Sequence, residues 1–176
     1  CIIKDCQVIA AVEEERFSRK KFDDDFPKLA IGYCMKEANI VSDDLDCVAF
    51  YDKSVLKFER LLDNYLAVAP RGLSSFLNVI PKWLHKRIWV KDEIRKHLNG
   101  YKGEIIFPEH HLSHAAYTFF TSPFDKSAIL TVDGGGEWTT TSFGSANNTE
   151  IILTNDIRWP HSLGFCLLYT SDAADE

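Results

Sequence analysis

The spacing of apolar and polar positions along this chain predicts strands and helices in alternation. Short β-branched runs between turn residues predict strands, whereas apolar residues three and four apart predict helices. We expect an opening hairpin over 2–12, a short buried strand at 47–51, and further strands at 104–107, 128–132 and 150–157, with a threonine-rich strand before the last. Helices are expected at 27–38, 55–68, 73–84, 90–98 and 111–120, with a break at Pro81.

This order of elements sets the expected fold class. Strands alternating with helices are typical of layered α/β domains, and a hairpin followed by strand–helix units suggests a mixed sheet flanked by helices. No internal repeat or low-complexity linker interrupts the chain. We therefore predict one α/β domain over residues 1–165.

Both ends of the chain are expected to be artificial boundaries. The chain begins at Cys1, inside a predicted strand, and residues 166–176, CLLYTSDAADE, break the preceding pattern. This segment can be back-translated into a transposase adapter used in sequencing libraries. We therefore interpret it as adapter read-through; a genuine acidic tail is the alternative. The remainder would be a domain truncated at both ends, and we expect the chain by itself to be inactive.

Composition and charge exclude several classes of protein. The content of 45% hydrophobic and 26% charged residues is typical of soluble globular proteins, and the apolar runs are too short to cross a membrane. A net charge of −6 argues against a DNA-binding surface. Five cysteines without a CxxC pair argue against a disulfide framework or zinc knuckle and favour a cytoplasmic protein.

Three histidines begin one predicted helix, in the segment EHHLSHAAYTFF at 109–120. On a helix, His110 and His114 project from one face, whereas His111 points about 100° away. Two imidazoles at that spacing can share a metal ion. In the alternative interpretation, His110 caps the helix and His114 is a core residue with satisfied hydrogen bonds, so the pair alone decides nothing.

Asp133 favours the metal interpretation because it ends an apolar strand, at the edge where α/β sheets bind ligands. One carboxylate beside two imidazoles suits iron(II), zinc or manganese. We therefore predict a metal site at His110, His114 and Asp133. Glycine amides can admit an anionic group such as phosphate, although a tight hairpin turn also uses glycine. The three that follow the aspartate are Gly134, Gly135 and Gly136.

A charged run, EEERFSRKKFDDD, occupies residues 13–25 after the opening hairpin. Clustered cations can hold a phosphate or an anhydride. The alternative is a solvated loop. Arg16 is our candidate for contact with substrate or nucleotide. The basic residues of the run are Arg16, Arg19, Lys20 and Lys21.

Several motifs in one order resemble the N-terminal part of the O-carbamoyltransferase family, which includes nodulation-factor and antibiotic carbamoyltransferases. They are AAVEEERFSRKKFDDDFP, AFYDKSVLKFERLL, FLNVIPKWL, HHLSHAA, ILTVDGGGEW and WPHSLGF. The resemblance covers nearly all of residues 2–165. It implies a fragment of an actin/hexokinase-type (ASKHA) ATPase-like domain from an enzyme such as those of natural-product biosynthesis.

The resemblance also implies residue roles. His110, His114 and Asp133 match ligands of a metal, iron in a family member, that holds the phosphate of an adenylate. Lys21 matches a lysine implicated in handling the carbamoyl group. The family often has a histidine after that lysine, where this chain has Phe22. A further loop upstream, another ligand aspartate downstream and a YrdC-like domain would complete the enzyme.

The implied reaction has two steps. The YrdC-like domain, in cis, makes carbamoyl adenylate from ATP and carbamoyl phosphate. The domain present here then passes the carbamoyl group to a hydroxyl of a small-molecule or saccharide acceptor. Two alternatives stay open at this point: an ATPase or kinase of the same superfamily, and a non-catalytic module that binds metal or nucleotide.

Overall fold

The computed structural model of the chain describes residues 1–21, 23 and 25–172. It divides into two compact units. The first unit comprises Cys1–Val48 and Trp89–Ile105, and the second comprises Ala49–Ile88 and the chain from Ile106 onward. Helices and strands are mixed throughout, which confirms the α/β class.

The first unit opens with the predicted hairpin. Strands β1 (Ile2–Lys4) and β2 (Gln7–Ala10) pair antiparallel. The turn residues Asp5 and Cys6 have φ values of 50° and 62°, as in the type I′ turns that suit the twist of a two-residue hairpin. The helices of this unit are α1 (Glu15–Ser18), α2 (Lys28–Ala38) and, later in the chain, α5 (Val90–His97).

Glu14, in the charged run, acts as a cap for helix α2. Its carboxylate accepts hydrogen bonds from the backbone N–H groups of Leu29 at 3.1 Å and Ala30 at 2.7 Å. Pro27, the residue before the helix, makes no side-chain cap of its own. A carboxylate at a helix N-terminus satisfies free N–H groups and complements the helix dipole. Glu14 is therefore a structural residue and does not belong to a solvated loop.

The second unit combines helices with an antiparallel sheet. Its strands lie in the order β5 (Lys126–Val132), β6 (Thr139–Asn147), β7 (Glu150–Arg158), and helix α6 (His110–Phe120) packs against all three. Three polar side chains of the central strand, Thr140, Thr141 and Ser142, are almost completely buried. The other helices are α3 (Ser54–Val68), α4 (Leu73–Lys82) and α7 (Leu163–Asp172).

Strands β3 (Cys47–Ala49) and β4 (Glu104–Ile106) form a separate two-stranded sheet. The prediction that the first of them is buried is wrong, because Cys47 and Ala49 are exposed and Val48 is half-buried. Two strands alone shield little of their own surface. The described strands thus form three small sheets, each pairing consecutive strands, where the sequence predicted one mixed sheet.

Pro81 does not break the chain's helical path as predicted. It lies inside α4, and the chain continues through a π-helical turn at Trp83–Arg87. Proline removes one backbone donor and crowds the preceding turn, yet α4 continues past it to Lys82. None of the helices in the described ranges is long and apolar enough to cross a membrane.

Helix α7 runs through residue 166, where we place the start of the adapter-derived segment. The helical backbone continues to Asp172, and the last four residues of that segment lie outside the described residues. A helix over these positions does not test their origin. The interpretation of residues 166–176 as non-native therefore stays a prediction.

Candidate metal centre

The three residues predicted to bind a metal lie together in the second unit. His110 and His114 occupy successive turns of α6, and Asp133 directly follows β5. The Nε2 atom of His110 is 2.8 Å from Oδ2 of Asp133 and 3.1 Å from Nε2 of His114. The His114 Nε2 atom is 4.0 Å from the same carboxylate oxygen. Within the described part of the chain, no other group of histidine, cysteine and acidic side chains has metal-binding spacing.

These separations fit one cation. A circle through three atoms 2.8, 3.1 and 4.0 Å apart has a radius of about 2.0 Å, which is also the usual bond length from zinc to imidazole nitrogen or carboxylate oxygen. One ion could therefore contact all three atoms at ordinary distances. The donor set of two imidazoles and a carboxylate suits iron(II), zinc or manganese. Metal binding itself stays a prediction.

Hydrogen bonds alone do not satisfy this cluster. A ring nitrogen either donates or accepts, so Nε2 of His110 cannot donate to Asp133 and accept from His114 at once. The hydrogen bond from His110, joined by one from the Gly134 amide at 2.7 Å, holds the pKa of Asp133 far below its ordinary value. Burial, together with the charge of His110, lowers the pKa of His114. All these shifts favour the deprotonated forms that bind cations.

The other ring nitrogen of His110 lacks the support that a metal ligand normally has. Its Nδ1 atom is buried and has no hydrogen-bond partner among the described residues. Metal-bound histidines almost always donate their second N–H to a carboxylate, carbonyl or water, which fixes the ring. Here the ring is instead held through the backbone of the helix and by an edge-to-face contact with Tyr51, with ring centroids 5.8 Å apart.

His111 has a structural role and is not one of the three candidate ligands, as its angular offset on the helix predicted. It is only 3% exposed. Its Nε2 donates to the carbonyl oxygen of Thr139 at 2.9 Å, so Nδ1 must accept from the hydroxyl of Thr131. Burial lowers the pKa of His111. This neutral histidine therefore ties α6 to the sheet.

Glu137, which the sequence analysis did not single out, fixes the helix that carries the histidines. The residue is only 6% exposed. The carboxylate accepts from the backbone N–H of Lys53 at 2.7 Å and from that of His110 at 3.1 and 3.2 Å. These N–H groups stand at the beginnings of α3 and α6, where negative charge is favourable. One buried side chain thus holds two helices by their N-termini.

Two of the glycines after Asp133 lie in close contacts: an added Cβ atom would be 2.5 Å from Nη1 of Arg60 at Gly135 and 3.0 Å from Cδ2 of His111 at Gly136. None of the three has φ in the left-handed region. The amide of Gly136 donates to the carbonyl oxygen of Thr139 at 2.8 Å, and that of Gly134 to Asp133. The amide of Gly135 has no hydrogen-bond partner within the described residues. Of the three glycine amides predicted to face a phosphate, that of Gly135 is therefore the one still able to donate a hydrogen bond to a ligand.

The segment WPHSLGF, at 159–165, supports this glycine loop. The hydroxyl of Ser162 lies 3.1 Å from the carbonyl oxygen of Asp133 and 3.3 Å from that of Gly134. A Cβ atom on Gly164 would lie 2.5 Å from the backbone C and O atoms of Asp133. Only glycine therefore allows α7 to begin so close to the candidate metal ligand.

Comparison with known proteins identifies the family. Residues 1–173 match the family described as Carbamoyltransferase N-terminus. The chain belongs to this family. The resemblance inferred from the motifs is thereby confirmed.

Relatives of this carbamoyltransferase N-terminal chain occur in distant organisms. Uncharacterized protein sll1178 of Synechocystis sp. is 45% identical over 177 aligned positions, covering 97% of this chain and 28% of the relative. Nodulation protein NolNO of Sinorhizobium fredii is 34% identical, covering 96% of this chain and 24% of the relative. Uncharacterized protein MJ1051 of Methanocaldococcus jannaschii is 26% identical, covering 89% and 24%. The chain spans about a quarter of the length of these relatives.

Arg16 and Lys21, the other predicted site residues, belong to the first unit of this carbamoyltransferase N-terminal chain. Both are exposed and line a cavity of about 340 Å³. The lining is completed by Glu13, Glu15, Arg19 and Lys20. The basic cluster read from the sequence thus forms a shared pocket, and the roles of its residues stay predictions. Phe22 lies outside the described residues.

Replacement of Glu137 by alanine should lower the free energy of unfolding by about 2 kcal/mol, because two helix N-termini each lose a cap worth about 1 kcal/mol. Urea unfolding of the two proteins measures the difference. Glu109→Ala is the matched control, since among the described residues its exposed carboxylate pairs only with the side chain of Lys53, at 3.0 Å, and such pairs contribute less than about 1 kcal/mol. Equal losses in both variants would contradict the capping role.

Proposed function

We propose that this chain is the first part of an O-carbamoyltransferase and that it passes a carbamoyl group from carbamoyl adenylate to a hydroxyl group of a small-molecule or saccharide acceptor. One observation carries the proposal. A chain of the carbamoyltransferase N-terminus family brings His110, His114 and Asp133 together with the spacing of a metal centre.

The proposal extends to the parts of the protein that surround this chain. A YrdC-like domain in cis would make carbamoyl adenylate from carbamoyl phosphate and ATP, and the present chain would contribute to an ASKHA-type domain. The mixed α/β architecture, with a carboxylate and glycines at a strand end, supports this assignment. A cytoplasmic location belongs to the same proposal.

The candidate ligands and their neighbours have distinct tasks in this proposal. Iron(II), or zinc or manganese, would be held by His110, His114 and Asp133, and it would supply positive charge to a phosphate and to an oxygen that gains negative charge. The hydrogen bond from the Gly134 amide helps to keep Asp133 ionised, and a bound ion would take the place of the proton on Nε2 of His110. Glu137 holds the backbone of His110 in place. The site is therefore organised by the chain before any substrate binds.

The transfer step exchanges one C–O bond for another. The acceptor oxygen attacks the carbamoyl carbon, the bond from that carbon to the phosphate oxygen breaks, and adenylate leaves with the electron pair. The proton of the acceptor hydroxyl goes to a base. Lys21, in the proposed role, stabilises the negative charge that develops on the carbonyl oxygen.

Turnover of the complete parent protein tests the proposal. With ATP, carbamoyl phosphate and a panel of polyols and saccharides, we expect one acceptor to gain the mass of a carbamoyl group while AMP accumulates. Lys21→Ala should reduce the rate at least about 100-fold, the effect of losing an electrostatic contact in the transition state. Lys28→Ala, an exposed lysine at the start of α2, is the control and should leave turnover unchanged.

Other products would indicate the other functions. ADP together with a phosphorylated acceptor would identify a kinase, and ADP with inorganic phosphate an ATPase. A protein that binds metal and nucleotide but produces neither AMP nor ADP would be a binding module. Each of these results would overturn the carbamoyltransferase proposal.

A further inference from the structure

Arg60, on helix α3, carries a guanidinium group that the protein does not satisfy. Its Nε and Nη1 atoms are buried and have no hydrogen-bond partner among the described residues. A guanidinium offers five N–H donors and always carries its charge. Leaving such donors buried without acceptors is unfavourable. The position therefore calls for an acceptor from outside the described chain.

The guanidinium lies against the glycine loop of the candidate metal centre. A Cβ atom on Gly135 would lie only 2.5 Å from Nη1 of Arg60. The absence of a side chain on Gly135 therefore leaves room for the guanidinium. The carbon at the centre of the guanidinium lies 5.4 Å from the ring centroid of Trp159. The indole N–H donates to Asn64 at 2.8 Å, which fixes the ring. Arg60 thus lies between an aromatic ring and Gly135, whose amide has no hydrogen-bond acceptor among the described residues.

Two carboxylates stand near Arg60, but both are occupied by other donors. Burial lowers the pKa of Arg60, whereas the charges of Glu137 and Asp133 oppose this shift. Glu137 accepts from the two helix N-termini, and Asp133 accepts from His110 and Gly134. Neither forms a hydrogen bond with Arg60. Their charges attract the arginine to this place without consuming its donors.

We propose that Arg60 binds the phosphate group of an anionic ligand beside the metal centre, assisted by the amide of Gly135. The planar fork of N–H groups matches the spacing of phosphate oxygens, and hydrogen bonds between charged groups are strong where water is excluded. The proposed function supplies the identity of the ligand, a nucleoside monophosphate ester, and in that respect the inference rests on it. The binding of a phosphate at Arg60 stands on the contacts alone.

Isothermal titration of the 176-residue chain with AMP, inorganic phosphate and adenosine tests this inference. Arg60→Gln should raise the dissociation constant of AMP at least about tenfold, the loss expected for a hydrogen bond between charged groups. Arg60→Lys keeps the positive charge but lacks the planar fork of N–H groups. Its dissociation constant for AMP should lie between those of the unaltered chain and Arg60→Gln. Arg71→Gln is the matched control, because Arg71 is an exposed arginine of the same unit, and it should bind AMP as the unaltered chain does.

A second variant acts on the same contact from the other side. Gly135→Ala places a methyl group against Nη1 and should weaken AMP and phosphate binding as Arg60→Gln does. Thermal unfolding by circular dichroism establishes which variants are folded. If Arg60→Gln does not fold, Arg60→Lys and Gly135→Ala decide the question, since a purely packing role for Arg60 would leave anion affinity unchanged in every variant that folds.

The outcomes separate this inference from the proposed function. An unaltered chain that binds neither AMP nor phosphate, or folded variants with unchanged affinity, would overturn the role of Arg60. If metal binds at full stoichiometry in that case, the metal centre and the proposed function survive. If AMP binding depends on Arg60 in a chain that binds no metal, the inference stands and the metal centre falls. Equal losses for adenosine and AMP would also contradict phosphate recognition.

Discussion

Asp133→Ala and His114→Ala are each expected to abolish stoichiometric metal binding. Each change removes one of three atoms that could contact a single ion, and the two ligands that remain would hold a divalent cation poorly. Loss of a supporting contact behind a ligand already lowers metal affinity 10–100-fold, so loss of a ligand should lower it by at least about 100-fold. Elemental analysis after dialysis, together with titration with zinc and iron(II), measures the effect.

Two variants control for general damage to the second unit. Asp63→Ala and His85→Ala remove an aspartate and a histidine that are exposed on the same unit. Both should retain the full metal content of the unaltered chain. Retention of metal in Asp133→Ala and in His114→Ala alike would show that the histidine face of α6 is not a metal site.

Gly144→Ala is expected to cause a loss of stability of about 3 kcal/mol, the upper range for forcing extra atoms into a packed region. A Cβ atom at this position would overlap the carbonyl oxygen of Ile152 and would lie 2.8 Å from Cα of Leu153. Both obstacles are backbone atoms of β7, and the pairing of β6 with β7 is already irregular between Phe143 and Gly144. The strand cannot yield without losing hydrogen bonds. Urea unfolding measures the change in free energy.

Replacing a glycine by alanine in helix α2 should instead raise the free energy of unfolding. Gly32 lies within α2, and an added Cβ atom there would meet no other atom within 4 Å. Alanine is better than glycine in a helix by about 0.5–1 kcal/mol, so Gly32→Ala should stabilise the chain. A loss below about 1 kcal/mol for Gly144→Ala would contradict the close approach of β6 to β7.

Local spacing predicted most of the elements but not their assembly. The helix with the histidines begins one residue earlier than expected, and the strand before Asp133 has the expected end. Both depend on side chains that are near in sequence. The buried state of the strand at 47–51 and the single mixed sheet were predicted wrongly, because both depend on which other segments cover a strand. The predicted break at Pro81 was wrong, because the helix tolerates the loss of one backbone donor there and continues to Lys82.

In the candidate site, too, the features set by residues close in sequence were predicted, and those set by contacts between distant segments were not. The spacing of His110 and His114 follows from helix geometry, and Asp133 follows from the end of a strand. Glu137 and Arg60 were missed because the groups that surround them in the folded chain lie in distant segments. Glu137, for example, bonds to a residue 84 positions earlier. Nothing in the residues themselves distinguishes a capping glutamate or an unsatisfied arginine from surface charges, and only the folded chain shows what surrounds them.

The distances in sequence across this site also bear on the order of folding. The bond from Lys53 to Glu137 spans 84 residues, and that from Trp159 to Asn64 spans 95. Closing loops of this length costs chain entropy before any contact compensates for it, so contacts between distant segments slow folding. Hairpins such as β5–β6 can form first, and the histidines, the glycine loop and Arg60 meet only afterwards. A ligand bound at this site would therefore leave the folding rate almost unchanged and would lower the unfolding rate.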